Sequence, residues 1–90
     1  VEMDNEGYKE FANVLKISTS LKRICIADNK LELNTLKEIF EAVKTNKNLT
    51  EIKFPGCGID SESIVYLAEA LKYNKSIVTV SLPRNNISVE

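Results

Sequence analysis

The stretch LTEIKFPGCGI, from Leu49 to Ile59, sets apolar side chains at Leu49, Ile52 and Phe54 and polar ones at Thr50, Glu51 and Lys53. Apolar-x-x-apolar-x-apolar is the pattern of a short strand buried on one face. The chain repeats it 28 residues earlier at Leu21, Ile24 and Ile26, and 28 residues later at Ile77, Val80 and Leu82. Leu31, Ile59 and Ile87 keep the same offset. An undrifting period of this length marks supersecondary units that must stack on one another to bury their apolar faces.

Between the strand segments the period changes from two to 3.6. Tyr8, Leu36 and Ile64 share the offset of 28, as do Phe11 with Ile39 and Leu67, Ala12 with Phe40 and Ala68, and Leu15 with Val43 and Leu71. Within a unit these fall at i, i+3, i+4 and i+7, the apolar stripe of an amphipathic helix. Helix starts are expected near Asn34 and near Asp60 or Ser61, whose side chains can accept from free backbone N–H groups. Asn46 and Asn74 stand at matching helix ends, and asparagine tolerates the left-handed conformation that often closes a helix.

A strand, a helix and a further strand in one sheet imply parallel pairing through right-handed crossovers. Strands stack about 4.8 Å apart and helices are about 10 Å wide, so the helical side should fan out. The expected fold class is therefore α/β, a right-handed βα solenoid with parallel strands on a concave face and helices on a convex one. Residues 1–90 form one segment: a partial unit at 1–20, full units at 21–48 and 49–76, and a partial unit at 77–90. Both ends cut through a unit and the first residue is Val1, which predicts an excerpt of a larger protein.

LKRICIADNKL (Leu21 to Leu31), LTEIKFPGCGI and IVTVSLPRNNI (Ile77 to Ile87) resemble the ribonuclease inhibitor-like class of leucine-rich repeats, with Asn29, Cys57 and Asn85 at the Asn/Cys position. The resemblance implies a horseshoe fragment in which those three side chains bond backbone groups of the loop leaving each strand, as an internal ladder. EIFEAVKTNKN and YLAEALKYNKS also resemble helices of Ran GTPase-activating proteins, NOD-like receptors, tropomodulins and actin-capping regulators. These relatives differ in function, so fold analogy does not choose among them.

Composition narrows the chemistry. Hydrophobic residues at 43% and charged ones at 28% describe a folded chain rather than a disordered one. Lys+Arg 12 against Asp+Glu 13 exerts no pull toward nucleic acid or membrane, and no apolar run reaches the roughly 18 residues of a membrane span. The absence of histidine removes the commonest general base, the Ser–His and Cys–His nucleophile pairs and imidazole metal ligands, so no enzyme is expected. No cofactor, metal or small-molecule substrate is expected either. Two cysteines, Cys25 and Cys57, are too few for a disulfide framework and lack zinc-site spacing, which favours a reducing, cytoplasmic setting.

Gly56-Cys57-Gly58-Ile59-Asp60-Ser61 imitates a dinucleotide-binding loop but lacks its third glycine, and the neighbouring units carry Asp28 and Lys30 or Arg84 and Asn86 at the glycine positions. Asp28-Asn29-Lys30-Leu31-Glu32 opens like a calcium loop, yet Lys30, Leu33 and Ile39 stand where acid, glycine and glutamate belong. Glycosylation sequons at Asn48, Asn74 and Asn86 coincide with turns that favour asparagine on conformational grounds. Tyr8, Phe11, Phe40 and Phe54 fall on core positions, whereas Tyr66 and Tyr73 fall off the stripe.

Function should reside where variation costs folding least, on outward strand positions and the loops after them. Those are Arg23, Cys25 and Asp28, then Glu51, Lys53 and Gly56, then Thr79, Ser81 and Arg84. Pro55 and Pro83 follow their strands, where a missing N–H costs little and a fixed φ should favour exit from the sheet. The expected role is a protein-interaction scaffold presenting this face to a protein partner. The alternative is regulation of a small GTPase, in the manner of Ran activators, or membership of a NOD-like receptor or an actin-regulatory protein.

Overall fold

The computed structural model describes residues 5–85, so Asn86 and Ile87, to which the sequence assigned a sequon and a core position, lie outside the described residues. Elements alternate from the start: α1 (Asn5–Ile17), β1 (Arg23–Cys25), α2 (Leu33–Thr45), β2 (Glu51–Lys53), α3 (Ile64–Tyr73) and β3 (Thr79–Ser81). The strands form one parallel sheet in the order β1-β2-β3. Its register is the sequence period: Arg23 pairs with Glu51 and Glu51 with Thr79, Ile24 with Ile52 and Ile52 with Val80, Cys25 with Lys53 and Lys53 with Ser81.

Each helix turns its apolar stripe toward the sheet, α2 packing between α1 and α3. On α2 the stripe Leu36, Ile39, Phe40 and Val43 is buried together with Thr35 and Ala42. Beneath it lie Leu49, Ile52 and Phe54, all fully buried, and the Phe40 and Phe54 rings meet edge to face at 5.7 Å and 80°. Tyr8, Ala12 and Leu15 extend the core on the α1 side.

The expected solenoid with a concave and a convex face requires correction. The described residues form a small α/β domain of three helices and a three-stranded parallel sheet, measuring 33 × 29 × 18 Å. Curvature in a solenoid accumulates rung by rung. Two strand-to-strand steps of about 4.8 Å give neither an arc nor a long axis. The outward side of this sheet is accordingly an open face, not the inside of a horseshoe.

Two local expectations also change. Asn46 and Asn74 end their helices with extended backbone (φ −73° and −80°), not left-handed backbone. Glu32, rather than Asn34, precedes the first residue of α2 and makes no side-chain cap bond. Asp60 does take the capping role before α3. Its Oδ1 accepts from the N–H groups of Glu62 (3.1 Å) and Ser63 (3.0 Å), while Ser63 Oγ accepts from the Asp60 N–H at 3.0 Å. These bonds, led by the Ser63 backbone N–H, hold the Asp60 carboxyl below its ordinary value of 3.8.

Pro55 and Pro83 lie beyond their strands, which end at Lys53 and Ser81. Pairing continues past them, with Asp28 N–H donating to the Pro55 carbonyl (2.8 Å) and Gly56 N–H to the Pro83 carbonyl (3.0 Å). In this ladder Phe54 and Gly56 donate across to the next strand, so Pro55 occupies the intervening position, whose N–H would point away.

The last unit departs from the assigned core. Ala68 and Val80 are exposed, and Ile64, Leu71, Ile77 and Leu82 are only partly buried. Each strand is roofed by the helices before and after it, and among the described residues β3 has only α3.

Candidate functional site

Because the pleat sends alternate side chains to opposite faces, the residues flanking Ile24, Ile52 and Val80 share the open face of the sheet. They form two rows across the strands, Arg23-Glu51-Thr79 and Cys25-Lys53-Ser81. A third row, Asp28-Gly56-Arg84, lies in the turns just beyond. All nine residues named from the sequence are thus brought onto one continuous surface.

The surface is knit by charge. Lys53 Nζ lies 3.1 Å from Glu51 Oε2 within one strand, and Arg84 Nη2 lies 3.0 Å from Asp28 Oδ1 across the width of the sheet. Both pairs are substantially exposed, so each contributes at most about 1 kcal/mol to stability. Their consequence is geometric, since they orient two of the three cations of the face, Lys53 and Arg84.

The Asp28–Arg84 pair spans a rung, and Gly56 is what it spans. Asp28, Gly56 and Arg84 all have left-handed backbone (φ 54°, 63° and 59°), which identifies the same turn in three successive units. A Cβ on Gly56 would come within 2.7 Å of Asp28 Oδ1. The bare Cα therefore leaves the corridor through which the outer two side chains meet.

The residues implied as a ladder each reach a neighbouring unit or loop. Asn85 Oδ1 accepts from the N–H groups of Cys57 and Ile59, both at 2.9 Å, and its Nδ2 donates to the Phe54 carbonyl at 2.7 Å. The Cys57 thiol donates to the Ile26 carbonyl at 2.9 Å. Asn29 Nδ2 donates instead to the Tyr8 hydroxyl, tying the first strand's turn to α1. Burial pushes the Cys57 thiol up to about 11, against the opposing pull of a hydrogen bond from the Asn29 backbone. Cys25 is exposed on the open face, and both cysteines are free thiols.

A second set of polar cross-links was not read from the sequence as such. Asn46 Nδ2 donates to the carbonyls of Leu15 (2.8 Å) and Ser18 (3.3 Å), while its Oδ1 accepts from the N–H groups of Asn48 and Leu49. Asn74 repeats the arrangement, donating to Val43 and Asn46 and accepting from Ser76 and Ile77. Each buried amide joins two successive helix ends to the strand that follows. The signal available in the sequence was the recurrence of Asn-Lys-Asn/Ser at the offset of 28. The same bonds occupy the Asn74 sequon nitrogen.

Tyr66 and Tyr73 are exposed off the core stripe, and each carries a lysine over its ring, Lys37 and Lys44 respectively, at 4.8 Å. Among the described residues there is no group of three or more Cys, Asp or Glu placed to hold a metal ion, and no helix long and apolar enough to cross a membrane.

No protein-family model matches the chain, and no curated protein sequence does. Solved structures do. One is leiomodin-1 actin-binding site 2, with a TM-score of 0.83 at 21% identity, covering 93% of this chain and 47% of that one. Another is the tropomodulin C-terminal domain from the structural genomics of Caenorhabditis elegans, with a TM-score of 0.80 at 19% identity, covering 96% of this chain and 51% of that one. The chain thus spans about half the length of the structures it matches, and identities this low establish the fold alone.

These likenesses overturn the resemblance to the ribonuclease inhibitor-like class of leucine-rich repeats, and with it the description of the chain as a leucine-rich-repeat solenoid. The fold matched is that of the tropomodulin and leiomodin domains. The physical reason lies in what the period encodes. An offset of 28 states how much chain one strand and one returning helix consume, and that length does not distinguish one α/β family from another.

Proposed function

We propose that the chain is a protein-interaction module of an actin-regulatory protein, contacting actin through the open face of its sheet and the turns that follow the strands. The observation that carries this reading is the likeness in fold to a domain whose name assigns it actin binding, leiomodin-1 actin-binding site 2. The open face supports it independently. Three rows of side chains stand on a backbone fixed by strand pairing and by Asn46, Asn74 and Asn85, so little backbone freedom remains to be lost on docking. The GTPase-regulator and NOD-like-receptor readings have no exposed feature that favours them.

No catalytic step belongs to this proposal. What supports that is a chain without histidine whose buried thiol, Cys57, is held protonated at neutral pH. A cytoplasmic setting is part of the same reading, supported by two cysteines left as thiols. Fractionation of cells expressing the full-length protein tests it, and recovery in the secreted fraction would contradict it.

The full-length protein should co-sediment with filamentous actin. Lys53→Glu together with Arg84→Glu should weaken that binding by about tenfold or more while leaving the circular dichroism spectrum unchanged. Loss of co-sedimentation in the wild type would remove actin as the partner. Equal binding by wild type and double variant would remove the open face as its site.

A further inference from the structure

Charge is segregated along this fold although the chain's net charge is only −1. In a parallel βα arrangement all helix C-termini and all strand starts lie along one edge. Lys16, Lys44 and Lys72 occupy the last turns of α1, α2 and α3 at the offset of 28. Lys47 and Lys75 follow in the loops at the same offset, Lys22 precedes β1 and Arg23 opens it. Seven of the twelve basic residues therefore line this edge. Among the described residues it holds one acid, Glu51, which is paired with Lys53. Glu41 and Glu69 sit a turn back along their helices. The opposite edge carries Asp28, Glu32, Asp60 and Glu62 against Lys30 and Arg84.

Helix dipoles account for part of the row, since cations in a last turn complement the exposed carbonyls. They do not account for Lys22, Arg23, Lys47 and Lys75, which lie beyond the helices. The ion pairs of the described residues, Lys9–Glu6, Lys53–Glu51 and Arg84–Asp28, use none of the seven. The edge is also recessed. A groove of about 410 Å³ runs between the ends of α2 and α3, lined by Lys44, Lys47, Lys75 and the half-exposed ring of Tyr73.

We propose that this helix-end edge is a second docking surface, meeting the open sheet face at Arg23 and Glu51, and that its occupant is an acidic segment of a protein partner. The charges are complementary, and the spacing fits. Packed helices stand about 8–10 Å apart, and carboxylates seven residues apart on a helix are separated by roughly 10 Å. A second copy is disfavoured because its acidic edge is interrupted by Lys30 and Arg84, and Asp28 already serves Arg84.

The test uses oligoglutamate as the probe and the full chain as the target, followed by amide chemical shifts. Saturable binding is expected, with shifts confined to the amides around Lys44, Lys47, Tyr73 and Lys75. The loop variant Lys47→Glu/Lys75→Glu should weaken it at least about tenfold, and Lys47→Gln/Lys75→Gln should do so by a smaller factor. Asp28→Asn should leave it unchanged. No saturable binding, or binding indifferent to the loop variants, would overturn the proposal. So would a single-stranded oligonucleotide or anionic vesicles binding as tightly through the same lysines, or concentration-dependent self-association lost in the same variants. The outcome does not depend on actin, so it stands or falls apart from the proposed function.

Discussion

Ile52 and Val80 are partners in the sheet, each the central residue of a three-residue strand, yet Ile52 is 0% exposed and Val80 40%. The rest of the two rungs divides in the same way. Leu49, Phe54, Phe40 and Val43 are fully buried, while their counterparts Ile77, Leu82, Ala68 and Leu71 are half-buried or open. β1 is an edge strand as well, but Ile24 is buried because α1 precedes it and α2 follows. Burial in this architecture belongs to a rung's neighbours and not to the rung's own sequence. One motif written twice makes a core in one place and a surface in the other.

The sharpest way to break that comparison is to place a charge in both rungs. Ile52→Asp buries an unpaired carboxylate among Phe40, Phe54 and Leu49 and should abolish the cooperative melt followed by circular dichroism. Val80→Asp, at the partner position, should retain the melt. Equal damage from the two would mean that β3 is as enclosed as β2.

Next in size are the amide cross-links. Asn46→Ala strands two carbonyls and two N–H groups in a buried setting and should cost roughly 2–4 kcal/mol in urea unfolding. Asn74→Ala removes one bond more, that from the Ser76 hydroxyl, but nearer the open rung, and should cost less. A larger loss for Asn74 would reverse the order of the two rungs.

Gly56→Ala should cost about 1–2 kcal/mol for the left-handed backbone. In addition the new methyl displaces the Asp28 carboxylate, so the ion pair with Arg84 should disappear. A salt dependence of stability matching that of Asp28→Asn would show it. If the variant kept wild-type stability and salt response, the corridor over Gly56 would have no energetic meaning.

Smallest is the acid response of the cap on α3. Because the Asp60 carboxyl titrates lower in the folded chain than its ordinary 3.8, its contribution is present above that value and fades as pH falls through the lowered one. Asp60→Asn should flatten this part of the Tm-against-pH curve and leave Tm near neutrality slightly reduced. An unchanged acid limb would assign the effect to other carboxylates.

Much of the candidate site is legible in the sequence alone. Period-two alternation around Ile24, Ile52 and Val80 is enough to put Arg23, Cys25, Glu51, Lys53, Thr79 and Ser81 on one face, because the pleat permits nothing else. The Asp28–Arg84 pair was not legible. It joins residues 56 positions apart through a gap left by a third, and glycine in a turn reads simply as a turn residue. Asn46 and Asn74 misled for a related reason. Asparagine at a helix end suggests a left-handed closure when considered alone, whereas here its amide is used across the fold and the backbone stays extended.

The sequence by itself determined the register. An undrifting offset of 28 requires Ile24, Ile52 and Val80 to stand side by side, since any slip would turn every apolar strand residue outward. Only the tertiary structure decided which of those equivalent positions are core, which family's domains share the fold, and where charge collects. Those follow from what packs on each side of a rung and from the helices and strands ending at common edges, and a local pattern repeated along a chain carries no information about either.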